Sequence, residues 1–260
     1  MLTALGLFAA LVAANRPEGA TAPVVKRIAA EEARQGVAAD RGHVYAVDNN
    51  RIGKYRKSDG KRVAQWTGDP ALFPHLNSCA MAGGELVCAA SNYPAVPQAS
   101  SAEFFDPKTM RHTRSHAFGI AEGSLTVLDW RGGFWWAVFA QYDGKGGEPG
   151  KDNRYTQLVK LDAQFRPLAR WTFPAEVLKR MAPRSASGAS WSRDGMLAVS
   201  GHDLPEIYLL SLPEAGTALR LERIVPVATE GQAIDWDPQG EGLMWSISRA
   251  DRSLVLSDIR

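Results

Sequence analysis

From residue 24 to the end, the chain alternates short apolar runs with brief polar turns. The runs span four to six residues and are rich in Val, Tyr, Phe and Trp, which predicts strands rather than helices. One pattern recurs: a Gly, Ser or Ala entry, a short apolar stretch, a turn, a run of strand formers, and two further strand-like segments. Its entries fall at residues 36–40, 78–82, 124–128, 189–193 and 232–236, spaced by 42, 46, 65 and 43 positions. Second strands follow at 44–47, 86–89, 134–139, 196–199 and 243–247, and third strands at 51–55, 102–105, 158–161, 207–210 and 254–256. Fourth strands are expected at 62–66, 113–118, 168–173 and 221–225, after turns built from Asp, Pro and Gly. A four-stranded unit repeated at this period predicts a five-bladed β-propeller.

The fifth copy stops before an outer strand, whereas residues 24–29 (VVKRIA) precede the first copy and belong to no blade. We therefore expect the N-terminal segment to complete the last blade and close the ring, leaving no open sheet edge. A six-bladed ring with one degenerate blade, and a β-sandwich, are the competing architectures. A single short helix is expected at 174–181, opened by Pro174 and ended before Pro183.

Residues 2–14 form the longest apolar run, shorter than the ~20 residues of a membrane-spanning helix. With small residues at Val12, Ala13 and Ala14 before Asn15, the run reads as the core of an export signal, so residues 1–22 are assigned to a leader and 23–260 to one domain. Because no charged residue precedes the apolar run, an upstream start or an uncleaved anchor is the other reading. Export implies a periplasmic or secreted protein, with no stable membrane span once the leader is removed. Cys79 and Cys88, the only cysteines, flank a turn signal at 82–85 and should lie on adjacent strands. There they form a disulfide, as suits an oxidising compartment, or simply pack as two small buried residues.

The whole chain is 45% hydrophobic and 22% charged, with a formal net charge of +2 and no basic patch, so nucleic acid is not an expected partner. Chemistry is expected where the strand connections of one face gather at the central channel. The densest cluster is His202 and Asp203, followed by Glu206, with His75 as a second imidazole. A small ligand at the channel mouth would meet Asn49, Asn77, Asn92, Tyr93, Asp143, Arg154, Glu206, Gln232 and Arg249. A His general base oriented or charged by an Asp suits hydrolysis or isomerisation of a small ester, lactone or sugar acid. The carboxylate and amide oxygens suit Ca²⁺, although no metal set is specified. Asn49 and Asn92 also fit as turn formers, and His202 and Asp203 as locally satisfied loop residues. The Gly-rich segment 142–155 lacks the Gly-Lys-Ser/Thr ending of a phosphate loop and reads as a lid over the same face.

The stretches VYAVDNN (44–50), SNYP (91–94), GHD (201–203) and EGQAI (230–234) resemble those of uncharacterised bacterial exported propellers labelled cycloisomerase or lactonase-like. The resemblance implies a propeller whose channel mouth takes a small polar molecule. The five-blade count is also that of the propeller glutaminyl cyclases, whose repeated Glu-Gly entries occur here only at 122–123 and 230–231. Two functions follow as expectations: an exported hydrolase or isomerase using His202, Asp203 and His75, or a non-catalytic propeller that binds carbohydrate or peptide.

Overall fold

The computed structural model describes residues 19–120 and 122–260. Most of the predicted leader, residues 1–18, therefore lies outside the described residues. Twenty strands form five four-stranded antiparallel sheets, each running from its innermost to its outer strand: β2 (Gly36–Ala39), β3 (His43–Asp48), β4 (Arg51–Arg56) and β5 (Arg62–Thr67); β6 (Leu76–Ala82), β7 (Glu85–Ser91), β8 (Ser100–Asp106) and β9 (Arg111–Gly119); β10 (Ser124–Arg131), β11 (Phe134–Ala140), β12 (Gln157–Leu161) and β13 (Pro167–Thr172); β14 (Gly188–Trp191), β15 (Leu197–Ser200), β16 (Glu206–Ser211) and β17 (Arg220–Pro226); and β18 (Ile234–Trp236), β19 (Leu243–Ser248), β20 (Ser253–Asp258) and β1 (Val24–Ala29). This is a five-bladed β-propeller; the six-bladed ring and the sandwich are excluded. The innermost strands are β2 (Gly36–Ala39), β6 (Leu76–Ala82), β10 (Ser124–Arg131), β14 (Gly188–Trp191) and β18 (Ile234–Trp236).

β1 (Val24–Ala29) pairs antiparallel with β20 (Ser253–Asp258), with Arg27 opposite Val255 and Ile28 opposite Leu254. The first strand of the described chain is thus the outer strand of the last blade. Hydrogen bonds Ala30 N to Arg252 O (2.8 Å) and Asp258 N to Pro23 O (2.9 Å) extend this closure at both ends.

Burial explains the two kinds of strand pattern. Blades stack face to face around the ring, so the middle strands are covered on both sides: β7 (Glu85–Ser91) and β11 (Phe134–Ala140) are buried from their second residue onward. Outer strands keep one face in water, and β5 (Arg62–Thr67) and β9 (Arg111–Gly119) alternate accordingly. Five apolar clusters result, one at each blade junction. Phe104, Leu128 and Phe139 join the second blade to the third, and Trp136, Trp191 and Tyr208 the third to the fourth. Val37, Trp245 and Leu254 join the fifth to the first.

The hairpins between inner and second strands are tight. Gly83–Gly84 and Gly132–Gly133 each hold two consecutive positive φ values (58° and 86°, 62° and 83°), which side chains resist and a two-residue turn between twisted strands requires. Beside the first of these turns Cys79 lies opposite Cys88, and the two are joined by a disulfide.

Polar bonds also stitch neighbouring inner strands. The Asp129 carboxylate accepts from Trp191 N (3.2 Å), and Asp235 accepts from Ser190 Oγ (2.8 Å) and Ala39 N (2.8 Å), linking the third blade to the fourth, the fourth to the fifth, and the fifth to the first. Burial pushes the Asp129 carboxyl up to about 6. It pushes Asp235 up to about 8, helped by the neighbouring charge of Asp129.

Candidate functional site: the channel mouth

One face of the ring collects the links from each outer strand to the next inner strand and those from second to third strands. His75 lies just before β6, and His202 in the link between β15 (Leu197–Ser200) and β16 (Glu206–Ser211). Both expected inserts, the Gly-rich segment 142–155 and the segment carrying helix α1 (Ala175–Met181), open on this face.

His75 Nδ1 lies 2.8 Å from the Asn49 side-chain oxygen. An amide oxygen only accepts, so Nδ1 carries the ring proton and Nε2 keeps its lone pair. Burial drives the pKa of His75 down to about 4; the Asn77 amide and the Asp48 charge oppose that shift, and the field of His202 adds to it. The imidazole is therefore neutral throughout the ordinary pH range, with Nε2 unprotonated and only weakly basic.

An aromatic train runs outward from His75. Its ring centroid lies 5.4 Å from that of Tyr93, which lies 5.1 Å edge-on from Tyr142. Burial raises the Tyr142 hydroxyl to about 12, so it stays a donor at neutral pH. Beneath these rings, Asn77 donates to Leu125 O (2.8 Å) and Ser124 Oγ to Ser91 Oγ (3.0 Å), a buried polar layer at the top of the channel.

His202 is held differently. Its Nδ1 lies 2.5 Å from Asp203, and Arg249 Nη1 lies 3.1 Å from its Nε2. A carboxylate accepts and a guanidinium donates, so the neutral ring is clamped between them with both nitrogens occupied. Burial lowers the His202 pKa more than Asp203 raises it. For Asp203, burial alone would raise the carboxyl, but its bond to His202 and the charges of Arg184 and Arg249 hold it below its ordinary value. Arg184 lies 3.4 Å from Asp203, and Glu230 accepts from Arg249 N (2.6 Å).

The structure thus gathers Asn49, His75, Asn77 and Tyr93 on one side of the mouth and His202, Asp203 and Arg249 on the other. Gln232 is buried at the same end, its N–H donating to Gly201 O (2.7 Å) at a φ of 101°. Asp143 does not reach the mouth as a free carboxylate: it accepts from Asn153 N (2.8 Å) within its own loop.

Three further expected ligand residues are held by other partners. Glu206 is buried and accepts from Arg180 Nε (2.7 Å) and from the Tyr208 hydroxyl, tying α1 to the fourth blade. Asn92 closes its own loop through Ala99 N (2.8 Å) and Pro97 O (3.0 Å). Arg154 is an exposed side chain folded onto Asp152.

The Gly-rich segment is pinned rather than loose. Glu148 accepts from Gln98 N (2.6 Å), Gln98 Nε2 donates to Gly146 O, and Asn153 Nδ2 donates to Leu178 O (2.8 Å) on α1. Gly146, at a φ of 81°, lies so close to the Tyr93 ring that an added Cβ would come within 2.4 Å of it. Sequence reasoning missed Gln98, Arg184 and Glu230, which orient the mouth through long-range contacts that no local motif announces.

Among the described residues, no three His, Cys, Asp or Glu side chains cluster as a cation site would require. The mouth carboxylates Asp48 and Asp203 are engaged by arginines, so this donor set does not fit the Ca²⁺ considered from sequence.

The fold and this mouth define a closed five-bladed propeller whose polar, aromatic-walled opening carries two neutral imidazoles. No family model matches the chain, nor does any curated protein. Solved structures match it in fold. The glutaminyl cyclase of Myxococcus xanthus superposes with a TM-score of 0.60 at 10% identity, covering 92% of this chain and 98% of that one. A luciferin-regenerating enzyme superposes with a TM-score of 0.50 at 13% identity, covering 88% and 91%.

Proposed function

We propose that the protein is an exported propeller enzyme, a hydrolase or isomerase acting on a small polar lactone, ester or sugar acid at the channel mouth. The observation that carries this reading is His75, a neutral imidazole whose Nδ1 is fixed by Asn49 and whose Nε2 keeps its lone pair across the ordinary pH range. His75 is the general base in this scheme. In hydrolysis, Nε2 takes a proton from the water that attacks the substrate carbonyl, a donor such as the Tyr142 hydroxyl stabilises the developing oxyanion, and as the intermediate collapses the ester C–O bond breaks and the His75 imidazolium returns that proton to the leaving alkoxide.

His202 was the first candidate for the base, but Arg249 covers its Nε2. In our reading, His202, Asp203 and Arg249 form a binding arm: an anionic or carbonyl oxygen of the substrate recruits Arg249 and frees the imidazole edge as it binds. The two propeller enzymes of similar fold support a propeller as a scaffold for catalysis, and only that. The Cys79–Cys88 disulfide supports an oxidising, extracytoplasmic location.

The test is turnover of a panel of aldonolactones, simple esters and sugar acids by the purified protein and by His75→Gln. Loss of turnover in a variant that unfolds at the wild-type temperature supports the assignment; unchanged turnover refutes it. Saturable binding without turnover that survives loss of either histidine would establish the binding-propeller alternative instead.

A further inference from the structure

On the face opposite His75 and His202, a groove of about 650 Å³ separates the fourth and fifth blades. Its walls come from the lower ends of β14 and β18 and from the turns that follow them, residues 192–196 and 237–242. Nothing in the proposed reaction uses it. Trp191, Trp236, Leu209 and Ile259 give it an apolar lining, and Arg193 and Arg223 stand at its edge.

The two arginines distinguish this groove from a packing defect. Arg193 donates to Pro238 O and Arg223 to Ile259 O (2.7 Å), so each is oriented by a single backbone acceptor. A guanidinium has five N–H donors, which leaves most of them on each arginine unspent. Of the acidic groups in the lining, Asp237 is paired with Lys57 (2.8 Å) and accepts from Trp245 (2.7 Å), whereas Asp194, which accepts from Ser192, and Glu241 are exposed and keep their charge in water. Trp191 is 8% exposed, and what it leaves accessible lines this groove.

We infer that this groove is a second ligand site, for a small amphipathic anion: a flat apolar or aromatic body lying against the tryptophans, with a carboxylate at Arg193 and Arg223. Its volume is in the range of small-molecule sites, and aromatic walls with a few oriented polar groups are their usual lining. The site is separate from the mouth, so it stands or falls independently of the proposed reaction.

The experiment follows the tryptophan indole N–H resonances of the ¹⁵N-labelled protein during titration with indole-3-acetate, with indole and tryptamine as controls. Trp191→Phe and Trp236→Phe spectra assign the two signals. Saturable shifts at Trp191 and Trp236 are expected with indole-3-acetate, with affinity at least about tenfold weaker for indole and for Arg193→Ala/Arg223→Ala, ~1.4 kcal/mol. His75→Gln should leave the titration unchanged. Should the double variant unfold, Arg193→Ala alone provides the comparison, since its side chain is exposed. Absence of saturation at millimolar ligand, equal affinity for tryptamine, or undiminished binding by the arginine variant would each overturn the inference.

Discussion

Replacing Asp235 by asparagine isolates one polar staple of the ring. In the wild type, burial and the charge of Asp129 raise its carboxyl to about 8, while the same group in an unfolded chain titrates near ~3.9. The folded protein therefore keeps a proton that the unfolded chain has lost. The stability linked to this group is fully present below about pH 4 and is lost as the pH rises through about 8. A shift of ~4 units at 1.36 kcal/mol per unit sets a ceiling of about 5 kcal/mol, and solvent reaching the partly exposed carboxyl lowers the expected loss to ~2–3 kcal/mol. Asparagine keeps an acceptor for Ala39 N and a donor for Ser190 Oγ but carries no charge at any pH. Urea unfolding of both proteins at pH 5 and pH 9 measures the difference. The variant should lie within ~1 kcal/mol of wild type at pH 5 and exceed it by ~2–3 kcal/mol at pH 9. Taking the difference between proteins removes the titrations they share, Asp129 included. If that difference is the same at both pH values, Asp235 is not held protonated and the reasoning fails.

Five further outcomes follow. With any substrate found, the acid limb of the kcat/KM profile should fall near pH 4, where His75 takes up its proton, and His75→Gln should abolish turnover without lowering the unfolding temperature. Gly146→Ala should displace Tyr93 and weaken ligand binding at the mouth by about tenfold, ~1.4 kcal/mol, as isothermal titration would show. Tyr55→Phe removes one donor (2.5 Å) from the fully buried Glu32, leaving Arg62 (2.8 Å), and should cost ~1–3 kcal/mol in urea unfolding. Cys79→Ser/Cys88→Ser should cost ~2 kcal/mol by the same measure, since the bridge closes only a short loop.

The architecture was legible because a propeller writes its repeat directly into hydrophobic periodicity. Each middle strand is buried on both faces and reads as a continuous apolar run, and the orphan segment at 24–29 matched the strand missing from the last blade. Edges were less legible. β18 begins at Ile234 rather than at 232, because Gln232 leaves extended geometry to donate its N–H to Gly201 O. The mouth was legible in part. Position within the repeat put His75 and His202 on one face, but their chemistry depends on partners far away in the chain. Asn49 precedes His75 by 26 residues and fixes its tautomer, and Arg249 follows His202 by 47 and covers its free nitrogen. No local pattern reveals such pairs, which is also why Glu206 looked like a ligand group while serving Arg180 and Tyr208.

The most direct test of the central claim is a crystal structure with a lactone or sugar acid first found by its stabilising thermal shift. The account predicts that the molecule sits in the mouth with a carbonyl or hydroxyl within hydrogen-bond reach of His75 Nε2 and an oxygen against Arg249. A ligand that stabilises the protein while touching neither His75 nor Arg249 would contradict it.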